Sequence, residues 1–153
     1  MRILKEDYAK KIAMASPLQL VVINFELVLD FLDDAKTDIE FDNDAEFQKN
    51  IKKAHDFLKE LIYSLNMDYE ISADLYDIYI YINKLFVSGI YRKDTEAIDQ
   101  VCRILTVLLE GFKMIEENDS IDRMSKIFAG LTYNSKGELA EYIDIQNEND
   151  YKI

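Results

Sequence analysis

The sequence predicts an all-α protein: an antiparallel up-down four-helix bundle, preceded by a short N-terminal helix and followed by an extra C-terminal segment. Three observations predict it. The chain holds only 4 Gly and 1 Pro in 153 residues, so long helices meet few breakers. Four stretches of roughly 20 residues repeat apolar side chains at alternating spacings of three and four, the period of a bundle seam. The connections between them are short, and short connections join antiparallel neighbours. At 49% hydrophobic content this length makes one domain with a real core.

Residues 2–12 place Leu4, Tyr8 and Ile12 on one helical face at i, i+4 and i+8. Arg2, Lys5, Lys10 and Lys11 outweigh Glu6 and Asp7, so this segment is basic on an otherwise acidic chain. It reads either as a frayed terminus or as a flap over an apolar groove. Ser16, Pro17 and Gln19 then open the first long helix. Ser16 is the N-cap, Pro17 takes the first helical position, and Gln19 reaches back to complete a capping box. This helix runs over 17–38, with Val21, Phe25, Val28, Leu32 and Ala35 as its seam. Leu20, Ile23, Leu27 and Phe31 form a second stripe beside the first.

A second capping box, Asn43 with Glu46, opens the next helix. Its seam is Phe47, Ile51, Ala54, Leu58, Leu61 and Leu65, and its lysines line the opposite, solvated face. The third helix spans 70–91, with Ile71, Leu75, Ile78, Ile82 and Leu85 on the seam. Off the seam it still carries Tyr76, Tyr79, Ile80, Tyr81, Phe86, Val87 and Tyr91. Tyrosine at this density offers apolar area with a polar tip, a composition suited to partner contact. Asp94 caps the fourth helix, whose seam is Ile98, Val101, Leu105, Leu108, Phe112 and Ile115. The bundle, with its N-terminal flap, thus occupies 1–118. The remainder, 119–153, reads as an acidic extension: a short helix through Ile121, Met124, Ile127 and Phe128, ended by Gly130, then a mobile tail.

The formal charge of −12, from 30 acids against 18 bases, disfavours nucleic acid and anionic membrane surfaces. The apolar run 18–32 is interrupted by Gln19, Asn24, Glu26 and Asp30, which argues against membrane insertion. Residues 1–12 lack the apolar region of a signal peptide. The lone Cys102 cannot make an internal disulfide and suits a reducing, cytoplasmic setting as a small buried group.

Catalytic and metal patterns are missing. A di-metal carboxylate bundle needs paired Glu-x-x-His motifs, but three residues before His55, the only histidine, stands Lys52. A phosphotransfer histidine would be followed by a lysine three residues on and then a glycine; here Leu58 and Lys59 follow. His55 therefore reads as a satisfied or simply exposed histidine. Asp30, Asp33 and Asp34 read as a solvated face. No phosphate loop, zinc spacing or nucleophile elbow is present. The expectation is a binding protein with no catalytic residues, no metal and no cofactor.

Over about residues 8–116 the chain resembles the flagellar secretion chaperones of the FliS type. The resemblance begins with Tyr8 ahead of Ala15-Ser16-Pro17 and Leu20. Asn24-Phe25-Glu26-Leu27 stands where the family has Leu-Tyr-Asp-Gly, and Phe31-Leu32 and Ala35 follow. Lys53-Ala54, Glu60-Leu61 and Ser64-Leu65-Asn66 continue it. Ile78-Tyr79-Ile80-Tyr81-Ile82-Asn83 is similar to the family's Leu-Tyr-x-Tyr-Met-Asn. Asp94, Val101, Leu105 and Leu108 complete the set, with Phe112 where a Trp is common. The family's Gly in the first long helix is replaced by Leu27.

The resemblance implies a cytoplasmic, non-enzymatic chaperone that binds the disordered C-terminal segment of flagellin. It would block premature polymerisation and hand its client to the flagellar type III export apparatus, with export-gate components as further partners. Client binding would occupy grooves along the first and third long helices, by helix-in-groove recognition. The expected contacts are Leu20, Ile23 and Leu27 from one, and Tyr76, Tyr79, Ile80, Asn83 and Val87 from the other, with Tyr8 and Ile12 anchoring the flap. The bundle residues among these have a second reading, as core. An adaptor or regulator binding another secreted helical partner is the alternative function. A monomer and a weak homodimer both remain open.

Overall fold

The structure, a computed structural model, describes the backbone of residues 3–118 and the side chains of residues 8–115. The expected helix at 121–128 and the acidic tail lie outside the described residues. Every regular element described is helical: α1 (Ile3–Met14), α2 (Pro17–Glu40), α3 (Asp44–Tyr63), α4 (Glu70–Ser88), a 3₁₀ turn (Ile90–Arg92) and α5 (Thr95–Asn118).

The caps explain the boundaries. At the start of α2, Ser16 Oγ accepts from the Gln19 N–H at 3.2 Å, and the Ser16 N–H donates to Gln19 Oε1 at 2.9 Å, closing the expected box. The second box is only half made. Asn43 Oδ1 accepts from the Glu46 N–H at 3.4 Å. The Asn43 N–H, however, is taken by the Asp38 carbonyl at 2.9 Å, and the Glu46 carboxylate lies 3.5 Å from Lys49 Nζ. Asp42 turns the chain between α2 and α3 in the left-handed region (φ 52°), which a short polar side chain tolerates.

The third helix is shorter than the sequence suggests. It stops at Ser88, where Gly89 leaves helical geometry (φ −142°), and a glycine is needed there because a Cβ would sit 3.0 Å from Asp94 Oδ2 and 3.1 Å from Asp94 Cβ. Asp94 in turn uses Oδ1 to accept from the Glu96 and Ala97 N–H groups at 3.1 and 3.2 Å, opening α5 as expected.

Helix α2 is central and packs against α1, α3 and α5; α4 packs on α3 and α5. Asn50 donates to Asp38 at 2.6 Å and Phe31 stacks on Phe57 at 5.8 Å, pairings that run α3 antiparallel to α2. Lys36 pairs with Asp99 at 2.7 Å while Phe25 meets Phe112 at 5.2 Å, which sets α5 antiparallel to α2 as well. The predicted seams form the core, with Phe25, Val28, Leu32, Ile51, Leu58, Ile78, Ile82, Leu105 and Leu108 fully buried.

The second stripe of α2 is largely core too. Ile23, Leu27 and Phe31 are all buried, and Leu20 alone is half-exposed. A helix with neighbours on three sides needs more than one apolar stripe, so the excess apolar character of α2 reports its central position. On α4, Tyr79 and Phe86 are buried as well: Tyr79 meets Phe25 of α2, and Phe86 lies on His55 of α3.

His55 is the satisfied kind. It is 6% exposed and lies flat on Phe86, with ring centroids 4.7 Å apart. Asn83 presents its carbonyl oxygen 2.6 Å from Nε2, so Nε2 carries the proton. Nδ1 then accepts from the Tyr91 hydroxyl at 2.6 Å, which ties the 3₁₀ turn to α3. Burial pushes the His55 pKa below its ordinary value, the Asn83 bond opposes this, and the Lys59 and Lys52 charges reinforce it against Asp56. The folded chain therefore keeps His55 neutral where the unfolded chain takes up a proton. This contribution is full above the ordinary histidine value of about 6.5 and is lost as pH falls from there through the lowered folded value. Urea unfolding at pH 7.5, 6.0 and 5.0 is expected to show a loss of stability on acidification that His55→Gln diminishes.

Candidate functional site

At one end of the bundle an apolar groove of about 890 Å³ opens where α2 begins, α3 ends and α4 begins. The first turns of α2 contribute Leu18, Leu20 and Val21. The last turns of α3 contribute Phe57, Leu61 and Leu65, and α4 adds Ile71, Leu75 and Tyr79. Phe112 of α5 lines it as well, and Ile12 of α1 stands at its edge. The groove exists because the seams run out: Val21, Leu65 and Ile71 are seam residues only half-buried, since no further helical turn among the described residues covers them. Tyr63, Met67 and Tyr69, at 78%, 60% and 65% exposure, extend the apolar character into the α3–α4 connection.

The polar groups along the groove are mostly spoken for by their own backbone. Ser72 Oγ donates to the Asn66 carbonyl at 2.6 Å, Ser64 Oγ donates to the Leu61 carbonyl at 3.2 Å, and Asn66 Oδ1 accepts from the Asp68 N–H at 3.0 Å. What the groove offers is therefore apolar surface. Tyr79 is the exception. It lines the groove at 1% exposure, burial pushes its phenol well above the ordinary value, and among the described residues its hydroxyl has no hydrogen-bond partner. Buried hydroxyls are nearly always paired, and an unpaired one costs about 1–3 kcal/mol.

The structure separates the expected contact residues into groups. Ile12, Leu20 and Tyr79 meet at the groove. Ile23 lines a smaller recess of about 460 Å³ between α1 and α2, together with Lys10, Lys11 and Met14. Leu27 is core at 3% exposure. Tyr8 is buried, and its hydroxyl donates to Asp30 Oδ2 at 2.9 Å, pinning α1 to the middle of α2. Asp30 thus has a structural partner and is more than a solvated acid. Tyr76, Ile80 and Val87 share the outward side of α4, exposed or half-exposed, away from the groove. Asn83 holds His55. The sequence reading missed the contribution of α3. Leu61 and Leu65 looked like ordinary seam, and Phe57 lay off it; the available signal was the run of apolar residues Tyr63, Met67 and Tyr69 through a connection that should be polar.

Among the described residues no group of His, Cys, Asp and Glu is placed to hold a metal ion, and no helix is long and apolar enough to cross a membrane. Cys102 is half-buried, and burial pushes its thiol up to about 11.

The model of the family described as "Flagellar protein FliS" matches residues 4–120, which takes in every described helix but the first residue of α1. This chain belongs to the FliS family. A relative from Bacillus subtilis (strain 168), the flagellar secretion chaperone FliS, is 27% identical over 109 residues, covering 71% of this chain and 82% of that protein. No solved structure matches. The FliS match takes in every helix that lines the groove, so this chain is a FliS-type chaperone with an apolar groove where α2, α3 and α4 meet.

Tyr79→Phe removes only the unpaired oxygen, so its urea midpoint is expected to hold or rise. Ile82→Ala, in the same helix but fully buried, is expected to cost about 2–5 kcal/mol in the same measurement.

Proposed function

We propose that this chain is a cytoplasmic export chaperone for flagellin, and that the groove holds an apolar helical face from the flagellin C-terminal segment. The observation that carries the reading is the groove itself: apolar walls, serine and asparagine side chains (Ser64, Asn66, Ser72) bonded to nearby backbone, and a buried hydroxyl, Tyr79, with no partner among the described residues. Such a surface suits an amphipathic helix, with pockets for side chains at i, i+3 or i+4 and i+7. The Tyr79 hydroxyl gains a partner when the client supplies a carbonyl or hydroxyl oxygen. From the groove the client continues onto the outer side of α4 over Tyr76, Ile80 and Val87.

Covering roughly 1,000–3,000 Å² would offset the ordering of the client, about 2–5 kcal/mol or more. A client held this way has its polymerising face covered and is still released without breaking covalent or metal bonds, as hand-off to an export gate requires. The net charge of −12 keeps the loaded complex soluble.

Calorimetric titration with a synthetic peptide of the last ~40 residues of the same organism's flagellin, a length on the scale of the area above, tests the reading. The expected result is 1:1 sub-micromolar binding with a negative heat-capacity change. Ile71→Asp in the groove wall is expected to weaken it at least tenfold while helicity is retained, and Tyr79→Phe to weaken it about three- to tenfold, the worth of one hydrogen bond. Undiminished binding by Ile71→Asp would remove the groove from the proposal.

Helix α1 is the second part of the reading. Tyr8 clips it to Asp30, and Ile12 stands at the groove edge. As a displaceable flap it competes with the client, so deletion of residues 1–12 is expected to tighten peptide binding in the same titration. Weaker binding would instead make α1 part of the client site.

A further inference from the structure

The groove stands at the end of the bundle from which the chain leaves α5. Phe112 lines it, Ile115 follows one turn on, and α5 ends at Asn118. Because α5 runs antiparallel to α2, its last turns lie beside the first turns of α2, which carry Leu18, Leu20 and Val21 into the groove. At 1.5 Å per residue, Asn118 is only about 9 Å along the helix from Phe112. Asn118 therefore ends α5 within reach of the groove: three extended residues span about 10 Å, as far as the distance back to Phe112.

The sequence that sets out there matches what the groove lacks. Ile121, Met124, Ile127 and Phe128 recur at helical spacing, and Gly130 ends the pattern. Over 121–130 two bases, Arg123 and Lys126, stand against one acid, Asp122, on a chain of net charge −12. Glu60 is the charged side chain on the groove lining and presents the opposite sign. The FliS match stops at residue 120, just before this segment.

We propose that residues 121–128 dock in the groove as an intramolecular occupant, with Ile121, Met124, Ile127 and Phe128 against its walls, and that the client displaces them. The proposal rests on the groove being the client site. A tether this short gives an effective concentration in the millimolar range, so even a weak segment fills the groove until a tighter one arrives. Apparent client affinity is then reduced by the fraction of chaperone whose groove is open. The device hides the exposed apolar walls when no client is present, and it makes release and recapture a competition between two helical segments.

Two measurements on the full-length chain test it. Phe128→benzoylphenylalanine places a photoreactive group in the segment. The expected result is cross-linking within one chain to Leu20, Leu65 or Ile71, lost when the flagellin peptide is added. Cross-links elsewhere, between chains only, or none at all overturn the proposal. In parallel, Ile127→Asp combined with Phe128→Asp is expected to leave helicity intact and tighten flagellin-peptide binding about tenfold; peptide binding of unchanged strength overturns it. If the intramolecular cross-link forms and the peptide binds neither protein, the docked segment stands and the flagellin assignment fails.

Discussion

The contact of Phe25 with Tyr79 and Phe112 is the point on which the rest of the structure turns. Phe25 is fully buried, its ring centroid 6.2 Å from Tyr79 and 5.2 Å from Phe112, so one aromatic side chain of α2 joins α4 and α5. Tilted aromatic pairs of this kind add about 0.5–1.5 kcal/mol each beyond the area they bury. The same two partners line the groove. Core and groove are therefore two sides of one aromatic layer, and the groove floor is packed directly on the core behind it. A preformed apolar surface of that kind loses little freedom when a helix settles on it, which leaves more of the contact energy for binding.

Polar groups are handled in two different ways around that layer. Where helices must be held together, they are paired fully: Asn83, His55 and Tyr91 link α4, α3 and the 3₁₀ turn, with Phe86 stacked on the imidazole. Satisfied networks of this kind cost little and specify one arrangement of the helices. At the groove, serine hydroxyls and the Asn66 amide turn back to their own backbone, leaving walls with little polar demand. Tyr79 breaks that pattern, since its buried hydroxyl has no hydrogen-bond partner among the described residues.

Helix α1 is held by a different kind of contact. Helix α1 is fastened by a hydrogen bond from Tyr8 to Asp30 and is basic through Lys10 and Lys11, on a protein with an excess of acids. That bond lies near a recess of about 460 Å³ whose walls include those lysines.

Much of the fold was legible in the chain by itself, because seams, caps and breakers are local signals. The three-and-four spacing of Phe47, Ile51, Ala54 and Leu58, the Ser16–Gln19 box and the Asp94 cap each require only near neighbours in sequence, and each forms as read. The family likeness was legible for the same reason, since it rests on ordered residues along the helices. Whether an apolar stripe is core or groove was not legible. Periodicity records which side of a helix is apolar but not how many neighbours it has. Tertiary packing alone decided that Leu27 and Tyr79 are buried, that Leu20 stays half-exposed, and that Asn83 serves His55. It alone assembled Leu65, Ile71 and Phe112, distant in the chain, into one surface, because the seams of three helices run out at the same end of the bundle.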